Sequence, residues 1–177
     1  MDDTIREKII KEFIARAAVI RTTGSPQLYA TDIGARVLRA RPKVDPDELP
    51  CTVVWPQAEE AKNADGLRLC RMPIRVEGLH FFGKEAVARV YASVVEDPST
   101  VSERLLGDLL RCFVAPTWDR RRTIAGSPVT ILAPYAESIV YQGGGADEYP
   151  EDGSVTVGAS ARFLVTYWTK IGDPCSQ

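Results

Sequence analysis

The chain has 177 residues and a mass of 19.5 kDa, the usual size of one domain, so we expect a single domain over residues 1–177. Hydrophobic residues make up 45% of the chain and charged residues 26%, which excludes a mainly disordered protein. The formal charge of −2 and the pI near 5.5 give no general electrostatic attraction to nucleic acid or to an anionic membrane. No apolar run approaches the length of a membrane span and no signal peptide is recognisable, so we expect a cytosolic protein without a membrane partner.

The N-terminal segment carries the clearest helical pattern. Over residues 4–20, apolar side chains recur on one stripe with a period of 3.6 residues, which predicts an amphipathic helix. Thr4 followed by Glu7 is typical of a capping box at the start of such a helix. The next segment, residues 41–50, contains three prolines, and we expect an extended loop there.

The middle of the chain predicts strands and two more helices. Cys51–Trp55 is a short β-branched run, and residues 70–76 alternate as a half-buried strand in which Pro73 favours an edge position or a bulge. Between them we predict a polar loop over residues 57–66 that ends in an Asp65-Gly66 turn. Helices are expected over residues 84–95 and 99–113, the second capped by Asp97 or by a Thr100–Glu103 capping box.

The C-terminal part reads as a long hairpin. We predict a strand over residues 129–141 that is broken near Pro134, then a glycine-rich, acidic loop over residues 142–153. The strand from residue 155 to residue 167 alternates without a slip and would extend about 43 Å, so it must span the domain or project from it. The element order predicts an α+β fold: an antiparallel or mixed sheet, helices packed on one face, and a long C-terminal β-hairpin.

Candidate catalytic groups are scarce. His80 is the only histidine, no nucleophile elbow is present, and the four cysteines (Cys51, Cys70, Cys112 and Cys175) are too far apart for a zinc or redox motif. Buried or free thiols are therefore expected. The glycines at 143–145 lack the lysine of a phosphate-binding loop. We predict no catalytic residue, no cofactor and no metal, and therefore no enzyme.

Two charged segments and one strand end remain as candidate protein interfaces. The acidic segment from Asp147 to Asp152 could instead hold a hard cation, as in a metal-dependent hydrolase. The basic segment Arg120–Arg122 could contact nucleic acid. For both segments, contact with solvent or with a protein partner is favoured. Leu164 and Trp168 lie on the strand face opposite Phe163, so both faces of this strand end are apolar and we expect a partner to cover one. The interface candidates are Arg120, Arg121, Arg122, Asp147, Glu148, Glu151, Asp152, Leu164 and Trp168.

The C-terminal sequence resembles that of bacteriophage tail terminator proteins, the family of minor tail protein U-like and tail completion proteins. The resemblance is carried by Tyr149-Pro150, by Asp152-Gly153-Ser154, and most sharply by a Tyr-x-Thr-x-x-Gly-Asp-Pro ending from Tyr167 to Pro174. The opening helix, the Glu48-Leu49-Pro50 segment and residues 104–110 are also similar in layout.

Membership of this family would imply a structural virion protein without catalytic residues. Six copies would form a ring that caps the finished tail tube, stops its growth and offers a surface to the head-side connector or stopper protein. The protein would reside in the neck of the virion, and in the host cytoplasm during assembly. The alternatives left open are another neck component, such as a tail completion or head–tail joining protein, and a metal-dependent hydrolase.

Overall fold

Helix α1 (Ile5–Ala17) begins where the sequence predicts and ends three residues earlier. The computed structural model describes residues 2–24, 26–82, 97–114, 135–148 and 156–177, together with the backbone of 123–124 and 127–128. The Thr4 hydroxyl oxygen accepts a hydrogen bond from the Glu7 backbone N–H at 3.1 Å, as an N-cap residue does. The Glu7 carboxylate pairs with Arg39, at 2.7 Å from its guanidinium, which ties the helix to the first strand of the sheet.

Helix α2 (Pro98–Phe113) confirms the helix predicted over residues 99–113 and is capped by Asp97. The Asp97 carboxylate accepts hydrogen bonds from the Ser99 hydroxyl and, at 2.9 Å, from the Thr100 backbone N–H. These donors stabilise the ionised form and lower the pKa of Asp97 to about 2. The helix predicted over residues 84–95 falls outside the residues that the structure describes.

The helices pack on one face of a six-stranded mixed sheet, which confirms the predicted α+β class. Its strands are β1 (Val37–Arg39), β2 (Cys51–Pro56), β3 (Glu60–Ala64), β4 (Leu67–Phe81), β7 (Ser138–Glu148) and β8 (Thr156–Lys170), with a separate pair β5 (Thr123–Ile124) and β6 (Ser127–Pro128). The order in the sheet is β1-β2-β4-β8-β7, and β3 pairs with β4 beside β2. Strands β1 and β2 are parallel, and every other pair is antiparallel. Short 3-10 turns lie at Ile33–Ala35 and Pro46–Glu48.

Three phenylalanines join the helices to the sheet at the centre of the core. Phe13 of α1 stacks on Phe113 of α2 with ring centroids 5.1 Å apart, and both rings contact Phe163 of β8. All three side chains are fully buried, among the alternate residues of β4 and β8 that face the helices. The main core therefore lies between the helices and one face of the sheet, and a smaller cluster of Cys51, Val53 and Leu79 is buried on the other face.

The predicted loop over residues 57–66 is correct at residues 57–59 and wrong over residues 60–64. Glu60–Ala64 forms strand β3, which pairs with β4 and has all five side chains exposed. An exposed strand has no apolar alternation, so its sequence resembles a loop. The Asp65-Gly66 turn is confirmed, because both residues have positive φ (48° and 80°) and connect the paired ends Ala64 and Leu67.

Pro73 does not mark an edge strand, since β4 is paired with β8 on one side and with β2 and β3 on the other. The pairing with β3 stops at Arg71 and that with β2 begins at Ile74. Pro73 lies in the gap between these two pairings. Its carbonyl oxygen accepts a hydrogen bond from the Gln57 backbone N–H at 2.9 Å, on the side of β4 that faces β2 and β3. Because the N and C=O of a strand residue point the same way, the missing N–H faces the gap and no ladder bond is lost.

The C-terminal hairpin differs from the prediction in two respects. The glycine-rich segment predicted as a loop over residues 142–153 is strand as far as Glu148, within β7, and the strand begins at Ser138. Strand β8 extends to Lys170 and does not project, because it lies between β4 and β7 and pairs with β4 over its whole length. Residues 129–134 and 149–155 of the predicted hairpin lie outside the described part of the chain.

Candidate functional site

The sheet face away from the helices carries an apolar row across three strands. Val140 of β7 pairs with Leu164 of β8, which pairs with Pro73 of β4. Val140 is 49% exposed and Leu164 is half-buried, although their neighbours Ile139 and Val165 are buried under the helices. The predicted position of Leu164 opposite Phe163 is therefore correct, and the row is a candidate contact surface.

Trp168 lies on the same sheet face, four residues beyond Leu164. Its indole is half-buried, pairs across the strands with Leu69, and donates a hydrogen bond from Nε1 to the Glu137 carboxylate at 2.7 Å. This hydrogen bond satisfies the indole N–H and fixes the orientation of the ring at the surface. The geometry brings Trp168 and Leu164 onto one surface, and their role as an interface stays a prediction.

Strand β7 forms one edge of the sheet, and none of the described strands pairs with its outer side. Its ladder with β8 has register shifts at Tyr141/Gly143 and at Ala146/Glu148, which are bulges of the kind that turn an edge away from indiscriminate pairing. A Cβ at Gly144 would collide with the Ser160 carbonyl oxygen and lie 3.0 Å from Ala161 Cα. The glycine is therefore needed for close approach of the two strands at this position.

A cavity of about 430 Å³ lies on the same sheet face, between strands β2 and β4 and the loop over residues 41–50. Its polar centre is built by three side chains of the paired strands. The Trp55 indole donates from Nε1 to Glu77 at 2.5 Å, and the Arg75 guanidinium lies 5.2 Å from the indole centroid and 3.4 Å from the same carboxylate. The cavity is lined by Arg41, Pro42, Lys43, Val44, Leu49, Trp55, Arg75, Glu77, Leu79 and Thr156.

Sequence reasoning missed this cavity. The three central residues come from two strands, and only the register that pairs Trp55 with Arg75 and Val53 with Glu77 brings them together. The one available signal was the position of Trp55, Arg75 and Glu77 on the strand faces that alternate with the apolar core residues Val54, Ile74 and Val76.

The Gly172-Asp173-Pro174 ending, which carries the resemblance, anchors the C-terminus to the start of α1. The Asp173 carboxylate accepts hydrogen bonds from the Ser176 hydroxyl at 2.6 Å and the Cys175 backbone N–H at 3.0 Å, and these lower the pKa of Asp173. The Lys8 ammonium donates to the Cys175 carbonyl oxygen at 3.3 Å. The motif therefore has a structural role in this chain.

The other predicted interface residues are not placed. Arg120, Arg121, Arg122, Glu151 and Asp152 lie outside the described residues, and Asp147 and Glu148 are described only by their backbone in β7. Their roles remain predictions.

Three of the four thiols are buried, and the histidine contacts the backbone. All four cysteines are free; Cys51, Cys70 and Cys112 are buried, and burial raises the pKa of Cys51 to about 11 and that of Cys112 to about 12. A ring nitrogen of His80, Nδ1, lies 2.8 Å from the Phe81 carbonyl oxygen. In the described part of the chain, no three His, Cys, Asp or Glu side chains are grouped as metal ligands.

The described helices are too short or too polar to cross a membrane. Comparison of the chain with protein-family models and with curated proteins gave no match. The described residues form an α+β fold whose mixed sheet presents an apolar row, an edge strand and a polar cavity on surfaces that the described helices do not cover.

Proposed function

We propose that this chain is a structural virion protein of a long-tailed bacteriophage: a tail terminator whose copies form a ring on the end of the tail tube. The ring stops tube growth and provides the surface to which the head-side connector or stopper protein joins. It is a homohexamer, and its partners are its own copies, the tail tube protein and the connector. Its function is geometric and requires no catalytic residue or cofactor.

The observation that carries the proposal is the one-sided sheet with its edge at β7. A ring needs a heterologous contact, in which one patch of each subunit meets a different patch of the next. The apolar row of Val140, Leu164 and Pro73 runs from this edge strand across the sheet face that the described helices leave uncovered. Exposed apolar residues beside an edge strand are typical of surfaces that meet another protein. The Tyr-x-Thr-x-x-Gly-Asp-Pro ending adds the sequence resemblance.

The first test is the mass and shape of the purified protein, measured by light scattering and negative-stain microscopy on one sample. We expect closed rings of about six subunits, as the family resemblance implies and as a closed heterologous contact allows. A monomer that assembles only on purified tail tubes also agrees with the proposal. A monomer that does not bind tail tubes contradicts it.

A matched pair of variants locates the contact. Val140→Lys places a charge on the apolar row, whereas Val19→Lys places the same charge at a valine that is 55% exposed beyond the end of α1. We expect Val140→Lys to abolish rings, or binding to tubes, while its thermal unfolding stays close to that of wild type. Val19→Lys should assemble normally. Equal assembly by both variants would exclude the apolar row as the contact.

Loss of the protein during infection separates a terminator from another neck component. A terminator limits tube length, so its absence should give overlong tubes. Full-length tails that fail to attach to heads would instead indicate a tail completion or head–tail joining protein, the alternative within the same class.

A further inference from the structure

The cavity beside Trp55 has a preformed wall. The loop over residues 41–50 is held by an ion pair between Arg41 and Glu48 at 2.7 Å and by reciprocal hydrogen bonds between Asp45 and Glu48 around the turn at Pro46. Val44 and Leu49 of this loop pack against the buried side chains of Cys51, Val53 and Leu79. A ligand would therefore enter a shaped site without ordering a loop first, which lowers the entropic cost of binding.

The charges around the cavity leave an unmatched positive charge. Glu77 is only 8% exposed and is matched by the Trp55 indole N–H and by Arg75, while Arg41 is matched by Glu48. Lys43 is exposed and has no partner among the described residues. Three cations, Arg41, Lys43 and Arg75, and one carboxylate, that of Glu77, line the cavity. The lining is therefore positively charged and favours an incoming anion.

We propose that this cavity binds an acidic segment of a partner protein, with one carboxylate placed between Lys43 and Arg75. The apolar side chains beside these cations, Val44, Leu49 and Leu79, suit the aliphatic neighbours of an Asp or Glu in a peptide. The carboxylate of Glu77 repels additional negative charge, which disfavours a phosphate dianion. The inference goes beyond the ring proposal and does not depend on it, because it concerns a separate cavity of a single subunit.

The test uses the full chain and the peptide acetyl-Gly-Leu-Glu-Leu-Gly-amide, with the same peptide carrying Gln in place of Glu as its neutral control. Binding is followed by NMR through the indole N–H signal of Trp55, which is assigned with Trp55→Phe. We expect the Glu peptide to shift this signal to saturation and the Gln peptide to leave it in place. Equal shifts with both peptides, or no shift with either at about ten millimolar, would overturn the proposal.

Lys43→Gln supplies the site variant, because Lys43 is exposed and its replacement leaves the packing of Trp55, Arg75 and Glu77 intact. Loss of one charge-assisted contact should weaken peptide binding about tenfold. Lys62→Gln removes the same charge from strand β3, outside the cavity lining, and should bind like wild type. Equal weakening by both variants would indicate general charge attraction. An oligothymidylate that shifts the Trp55 signal at lower concentration than the peptide would reassign the cavity to nucleic acid.

Discussion

The backbone N–H of Ile5, at the first position of helix α1, donates a 2.9 Å hydrogen bond to the carbonyl oxygen of Pro174. N–H groups in the first turn of a helix have no partner within the helix. Here the Gly-Asp-Pro ending supplies one, so the last residues of the chain complete the first helix.

Deleting residues 173–177 should therefore destabilise the protein. The deletion removes the acceptor for Ile5, the contact of Lys8 with Cys175 and the hydrogen bond from Gln177 to the Tyr135 carbonyl oxygen. At about 0.5–1.5 kcal/mol for each of these three hydrogen bonds, we expect a loss of about 1.5–4.5 kcal/mol in the free energy of unfolding, measured with urea. Deleting Gln177 alone is the control and should cost less than half as much; equal losses would show that the Pro174 contact contributes nothing.

Asp108 of α2 holds the segment that follows α1. Its carboxylate is 2% exposed and accepts hydrogen bonds from the backbone N–H groups of Ala30 and Thr31, at 3.0 and 2.8 Å, and from the Thr31 hydroxyl at 2.7 Å. Asp108→Ala leaves these donors unmatched, and we expect it to lower the free energy of unfolding by about 3 kcal/mol. Glu103→Ala, at an exposed position of the same helix, should change it by less than about 0.5 kcal/mol. Similar effects in urea unfolding would contradict the role of Asp108.

Gly144 and Gly145 offer a matched pair in strand β7. A methyl group at Gly144 meets the backbone of Ser160 and Ala161, which cannot move without breaking the β7–β8 ladder, whereas nothing lies within 4 Å of a Cβ at Gly145. Gly144→Ala should therefore cost about 1–3 kcal/mol of stability, the usual range for a forced steric overlap. Gly145→Ala should be neutral or slightly stabilising. Thermal unfolding of the two variants side by side would detect the difference, and a neutral Gly144→Ala would refute the close approach.

The cap of α2 predicts a dependence of stability on acidic pH. The pKa of Asp97 is about 2 in the folded chain and 3.8 for the ordinary group, so the folded state favours the ionised carboxylate. The stability it contributes is fully present above about pH 4 and is lost as the pH falls through 2. Asp97→Asn should therefore differ more from wild type in urea midpoint at pH 5 than at pH 2. A constant difference across that range would contradict the lowered pKa.

Patterns within single segments predicted helices α1 and α2, because the apolar stripe and the cap of each helix lie close together in sequence. The alternation of β8 predicted its buried face for the same reason. Strand β3 was missed because all five of its side chains are exposed, so its sequence shows no alternation of apolar and polar residues. The glycines of β7 lower strand propensity, and the need for one at Gly144 arises from the approach of Ser160, which lies on another strand.

The candidate surfaces show the same limit. Leu164 and Trp168 could be assigned to one face from sequence, since that assignment needs only a period of two. The cavity could not, because Trp55 meets Arg75 through a register between two strands, and no local pattern encodes that register.

The long ladder between β4 and β8 has a consequence for how the chain is made. Leu67 pairs with Lys170 and Phe81 with Thr156, so one side of β4 stays without its partner until residues 156–170 have left the ribosome. Contacts between segments so distant in sequence slow folding, since the intervening chain must be closed before they form. We expect the sheet to be completed only after β8 has emerged, with the nascent chain exposing β4 to chaperones in the interval.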